Sequence, residues 1–513
     1  MTGGPTLCER FHAETKYIAG DMDKFQVRVR QDPPKPFKSY QSDQAVSLIG
    51  YLPFERHPFT GGPMPEVPEA TGLPSLKALA RLLYFTNGIT GIMPMPDGTR
   101  HYLRAAPSAG ALYPTEIYLA VHDVPDLADG IYNLDVKNHA LIPIWEGHFG
   151  NHLLAATGDH GAIAQAQVSI ILTGVWERSR WRYQERAYRR ILLDTGHVIG
   201  NLNCVGPTFG FGVFPVGGFL DRALNSLLFL DDGEEAALAV VALPRLDTLD
   251  LDRVPDHTAA PSAASHGAVA AGNDSLLHQL HLAAFLDDAK PMDHPKPDPE
   301  VLEIAYLDAD ETVALDHDMP LWDGGIEGTI LARRSTRKFI PAPIALTDLG
   351  TILSFAYQPA VPLSDARPSS QQMFDPSLLD TYVIVNSVVG IDSGIYYYAP
   401  ISHELRLVRA GDYTAACHHI CLGQDLGRDA GVVVIHTSDL SKAIGRYGDR
   451  GYRYLHMDAG HIGERIGLAA QALELGASGI GGFYDDDITR LLGLADPHGV
   501  AYVTTVGRPA EPT

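Results

Sequence analysis

Apolar residues along this chain fall into helical and strand-like runs, and the order of runs comes round twice. Residues 76–83 carry apolar side chains at three- and four-residue spacing, which predicts a helix. Residues 116–122 and 168–173 are short continuous runs rich in Ile, Val and Leu and are predicted as buried strands. A long helix is predicted over 187–204 and a closing strand over 236–243. The second round predicts a helix over 346–353, strands over 382–386 and 432–436, a long helix over 457–475 and a closing strand over 501–506. Alternation of strands and helices within each round makes the class α+β or α/β.

The repetition is also literal. Trp181-Arg182-Tyr183, Gly196-His197 and Gly217-Gly218-Phe219 recur 264 residues later around Arg446-Tyr447, at Gly460-His461 and at Gly481-Gly482-Phe483. Gly130-Ile131-Tyr132 and His139 recur at the same offset as Gly394-Ile395-Tyr396 and His403. A constant offset predicts a duplicated domain whose copies pack as a pseudo-symmetric pair. The expected division is residues 1–246 for the first copy, 247–323 for a linker and 324–513 for the second copy. The opening, to about Pro74, is rich in Pro and Gly and reads as an extended lead-in. The linker includes a small, polar stretch at 256–265 and a short predicted helix at 276–286.

Composition narrows the function. A chain of 513 residues suits two or three domains, and 45% apolar with 20% charged residues is globular. A net charge of −23 argues against nucleic acid and anionic membrane surfaces, while leaving room for a local basic pocket. Four cysteines suggest a reducing compartment without a disulfide framework. There is no signal-like N-terminus and no apolar run of about 18 residues, so the expected location is cytoplasmic.

Arg333-Arg334-Ser335-Thr336-Arg337 is the strongest local charge feature. Guanidinium forks with a hydroxyl suit a phosphate monoester; the blander reading is a solvated basic turn. Gly479-Ile480-Gly481-Gly482-Phe483 allows close backbone approach to a ligand, or is simply a helix-to-strand turn. The small-residue segment Pro107-Ser108-Ala109-Gly110-Ala111-Leu112-Tyr113-Pro114 precedes a strand and suits either a flat ligand or a tight connection. Cys417-His418-His419-Ile420-Cys421 reads as a buried helix surface rather than a metal site, because two adjacent histidines cannot easily join both cysteines. No metal is expected. His197 and His461 read as satisfied core histidines.

Together these segments resemble the nitroreductase-fold flavoenzymes, and more closely the SagB-type dehydrogenases that oxidise azolines to azoles in peptides. The resemblance implies an α+β fold of two tandem nitroreductase-like, FMN-dependent domains forming a pseudo-dimer. It implies that Arg333, Arg334, Ser335, Arg337 and Arg508 hold the FMN phosphate. It implies that Gly481 and Gly482 lie near the flavin, and that Pro107, Ser108, Ala109 and Gly110 reach it from the other copy. Aligning Leu79 with Leu349 sets the arginine segment opposite residues 63–67, which contain no arginine. The 264 offset sets Gln371-Gln372-Met373-Phe374 opposite the Pro107–Gly110 segment. One intact site, shared by the copies, is therefore expected. The azole-forming members carry Lys-Tyr where this chain has Arg182-Tyr183 and Arg446-Tyr447. Arginine is no base at ordinary pH, but tyrosine still serves as acid or base. Tyr447, in the copy with the phosphate clamp, is the first expectation for proton transfer, and Tyr183 its competitor. The expected activity is dehydrogenation of a peptide or amino-acid-derived unit, with a small-molecule or peptide substrate presented by a biosynthetic partner protein. The alternatives are an NAD(P)H-dependent nitro, quinone or ene reductase, and a non-catalytic flavin-binding or scaffold subunit. A further homodimer is left open.

Overall fold

The computed structural model describes residues 5–21, 33–40, 42–52, 75–95, 98–254, 257–260, 275–286, 292–295, 303, 305–316, 325–359 and 373–510. Two antiparallel sheets carry the fold. In the first, the strand order is Val46–Ser47, Ala140–Glu146, Gly130–Asp135, Thr115–Val121, Ala166–Val175, Glu235–Pro244 and Phe214–Val216. The second repeats that order with Thr312–Ala314, Glu404–Ala410, Gly394–Ala399, Asp380–Val385, Val432–Asp439 and His498–Pro509. Gly476–Ile480 pairs with His498–Pro509 as Phe214–Val216 pairs with Glu235–Pro244. Antiparallel pairing with helices packed on the sheets makes the class α+β.

The apolar runs are continuous because these strands are covered on both faces. Along Thr115–Val121, Ile117, Leu119 and Val121 join the central core, while Tyr118 and Ala120 join a separate cluster on the other face. Val432 and Val434 face the central core, and Val433 and Ile435 face away from it. The central core is shared: Leu83 and Leu192 of the first half and Leu353 and Ile466 of the second belong to one cluster.

The halves meet along two long helices, Ala187–Val205 and Gly451–Ala472, both almost wholly buried. The recurring Gly-His pair explains the closeness of the crossing. A Cβ on Gly196 would overlap the Met457 carbonyl oxygen, and one on Gly460 would overlap that of Leu193. Each pair is the other moved by 264 residues. Arginine–aspartate contacts obey the same symmetry. Asp485 accepts from Arg186 and Arg189 at 2.7 and 2.6 Å, and Asp221 accepts from Arg450 and Arg453 at 2.7 Å each.

Two segments read as connections are built into this junction. Within the expected lead-in, Leu7–Glu14 forms a helix, capped by Thr6 and Glu9 in a reciprocal pair of hydrogen bonds. It buries Cys8 and Phe11, and the Cys8 amide donates to Asp449 of the second half. Within the linker, Leu276–Ala283 forms a helix whose His281 carbonyl accepts from Arg453. The rest of the lead-in from residue 53, residues 63–67 included, and the linker stretch 261–265 lie outside the described residues. No helix among the described residues is long and apolar enough to cross a membrane.

Candidate functional site

A cavity of about 650 Å³ opens where the halves meet. The first half contributes Pro107, Ser108, Ala109, Gly110, Arg182 and Tyr183. The second contributes Ser335, Arg337, Gly481 and Gly482. Parallel pairing brings the arginine segment beside the glycine loop: the Thr336 amide donates to the Ala477 carbonyl at 2.9 Å.

On the first-half wall, the Pro107–Gly110 turn is tied to the long helix by Asp194. The Ser108 hydroxyl donates to Asp194 at 2.5 Å and the Ala109 amide at 3.2 Å. Burial pushes the Asp194 carboxyl up to about 7, against the pull of these two donors. Gly110 has φ +65, and a Cβ there would lie 2.6 Å from the Tyr183 hydroxyl, so this position needs glycine twice over. Tyr183 lies under Arg190, whose guanidinium carbon is 3.7 Å from the ring centroid.

Behind the turn, His197 joins the halves. Burial drives its pKa down to about 3, so the ring is neutral. One nitrogen lies 3.2 Å from the Pro107 carbonyl, which can only accept, so Nδ1–H donates there. Nε2 is then left to accept from the Tyr502 hydroxyl at 3.0 Å. A small recess adjoining the cavity reaches Arg333, Arg334 and Glu464. Burial raises the Glu464 carboxyl to about 7, partly offset by Arg333 at 3.6 Å.

Not every expected residue is gathered at the cavity. Arg333 is buried and donates to the Ala105 carbonyl across the junction at 3.1 Å; it borders the recess. Arg334 donates to the carbonyls of Leu331, Arg333 and Thr90. Arg508 is exposed, donates to the Pro343 carbonyl at 2.9 Å, and does not line the cavity. Tyr447 also lies away from it. Fully buried, Tyr447 donates to Asp375 at 2.7 Å, and burial with that neighbouring carboxylate pushes its pKa upward. The first half has Ala111 where the offset sets Asp375, and so has no such lock on Tyr183.

At the equivalent position the described side chains pack against one another. Phe374 stacks on Tyr454 with centroids 5.2 Å apart, and Gly217 lies against both rings. Gln371 and Gln372 lie outside the described residues. Cys417 and Cys421 are buried, and no group of three or more His, Cys, Asp or Glu among the described residues is placed to hold a metal ion.

Sequence reasoning passed over Arg190, Asp194 and Tyr17 as cavity residues. A signal existed for the first: the offset sets Arg190 opposite Tyr454, a charge found in one copy alone. Tyr17 arrives on the N-terminal segment, which no repeat marks.

The nitroreductase family profile matches residues 70–243 and 330–508. A nitroreductase-like protein of Methanocaldococcus jannaschii is 31% identical over 176 residues, covering 33% of this chain and 85% of that protein. The trifolitoxin-processing protein of Rhizobium leguminosarum bv. trifolii is 27% identical over 179 residues, 33% of this chain and 47% of that protein. A solved structure of a nitroreductase-type protein from Anabaena variabilis ATCC 29413 superposes with a TM-score of 0.85 at 37% identity, covering 98% of this chain and 99% of that one. The chain belongs to the nitroreductase family, with two family segments in tandem.

Proposed function

We propose that this tandem nitroreductase-family oxidoreductase binds one FMN in the shared cavity and uses it to dehydrogenate a peptide or amino-acid-derived unit. The observation that carries this reading is that Ser335, Arg337, Gly481 and Gly482 of one half meet Ser108, Gly110 and Tyr183 of the other around one space. The donor set fits the cofactor. Ser335 and Arg337 suit a phosphate monoester, with Arg333 supporting the recess behind them. Gly481 and Gly482 let backbone approach a flat ring. FMN bound there supplies hydride exchange; the chain supplies orientation and proton handling. Asp194 holds the Ser108–Ala109 turn in place, and neutral His197 fixes Pro107 against Tyr502. Tyr183, rather than Tyr447, is the residue that moves a proton at the substrate, because it lines the cavity with its hydroxyl beside Gly110.

The trifolitoxin-processing relative supports a peptide substrate presented by biosynthetic partners. The Methanocaldococcus and Anabaena relatives favour the reverse direction as a second reading, a nicotinamide-fed reductase. Anaerobic mixing with NADPH separates the two: rapid flavin bleaching supports the reductase. The cofactor assignment is tested by the visible spectrum and by flavin released on heating. One FMN per chain is expected; a colourless protein that takes up no FMN, or a ratio near two, overturns it.

A further inference from the structure

The first-half wall carries two arginines, Arg182 and Arg190, that form no ion pair within 4 Å among the described residues. Arg190 is buried at 7% exposure, and its Nε has no hydrogen-bond partner. Its guanidinium also lies over the Tyr183 ring, donates to the Tyr17 hydroxyl at 3.3 Å, and has Nη1 2.6 Å from where a Cβ on Gly481 would lie. Arg182, exposed at the same wall, stands beside Gly110, with Nη1 3.1 Å from where a Cβ there would lie. No carboxylate among the described residues pairs with either within 4 Å. Among the described residues the lone acid lining the cavity is Asp194; it accepts from Ser108 and Ala109, and Arg190 acts on it only through its field, beyond ion-pair distance. Leaving a buried guanidinium without a counter-charge is costly, and an anionic ligand removes that cost.

We propose that Arg182 and Arg190 form a carboxylate subsite, and that the substrate is an N-acylated carboxylate such as the C-terminal residue of a peptide. The inference rests on the flavin reading above in one respect, that the cofactor's phosphate takes the opposite wall at Ser335 and Arg337. A free amino acid suits the subsite less well. Its ammonium would enter a space lined by Arg182, Arg190 and Arg337, with no carboxylate free to receive it.

Calorimetric titration of the full chain, with and without added FMN, tests this with three probes: N-acetylphenylalanine, its neutral primary amide and free phenylalanine. The acid is expected to bind at least about tenfold more tightly than either other probe. Arg182→Gln and Arg190→Gln should each weaken the acid about ten- to hundredfold and leave the amide unchanged, as for a lost charge-assisted hydrogen bond. If Arg190→Gln does not fold, the exposed Arg182→Gln decides alone. Equal binding of acid and amide, no binding of the acid, or an unaffected variant overturns the subsite. Free phenylalanine binding as tightly as the acetylated acid overturns the preference for an acylated substrate. FMN uptake, measured separately as released flavin, reports on the cofactor reading; if it fails, the titration without FMN still decides the subsite.

Discussion

Asp221 and Asp485 stand 264 residues apart in sequence, and each accepts two arginines from the opposite half at 2.6–2.7 Å. All six side chains are buried. Removing the charge from either aspartate strands two guanidiniums in the interior. Asp221→Asn and Asp485→Asn should therefore each destabilise the chain by about 3–5 kcal/mol, read by urea unfolding. A neutral result for one of them would show that the junction is not symmetric in energy as it is in geometry.

Arg337 and Arg333 should separate binding from stability. Arg337 is exposed and lines the cavity, so Arg337→Ala should weaken FMN about ten- to hundredfold with an unchanged melting temperature. Arg333 is spent on the carbonyls of Arg104 and Ala105, so Arg333→Ala should lower the melting temperature as well as the flavin content. Flavin retention in the Arg333→Ala, Arg337→Ala double variant would remove the phosphate assignment.

The two equivalent tyrosines should behave differently. Tyr183→Phe is expected to keep bound flavin and slow turnover at least about tenfold, within the usual range for a placed proton-transfer group. Tyr447→Phe takes a hydroxyl from buried Asp375 and should cost on the order of 1–3 kcal/mol of stability, with turnover preserved. The reverse pattern in steady-state rates would exchange their roles.

Glu464 should make stability depend on pH. Its folded-state pKa of about 7 lies above the ordinary glutamate value of 4.5. Between those values the folded chain holds a proton that the unfolded chain has released. The stabilisation is complete below the lower value and is lost as pH rises through the upper one. Glu464→Gln should flatten the denaturation midpoint between about pH 4.5 and 7. An unchanged slope would mean that the carboxylate is charged throughout.

The strands and long helices were legible because strands buried on both faces, such as Thr115–Val121, are apolar at nearly every position. The Gly-His repeat was visible as a motif, but its use as a helix crossing was not, since Gly196 answers to Met457 on another helix. That Tyr447 is held away from the cavity while Tyr183 lines it could not be read locally, since Asp375, which holds Tyr447, is 72 positions away. Arg508 lies on the strand that pairs with Gly476–Ile480, yet its side chain leaves toward Pro343. Nothing in a local motif fixes such a direction.

The stack of Phe374 on Tyr454 is open only to a chain that carries its two halves on one polypeptide. In a homodimer of identical subunits every substitution lands at both sites, so plugging one pocket plugs the other. Here positions 190 and 454 are separate codons, and one holds arginine while the other holds tyrosine. Mutation can therefore reach one site alone, leaving the filled half free to vary as scaffold while the other is tuned to a substrate.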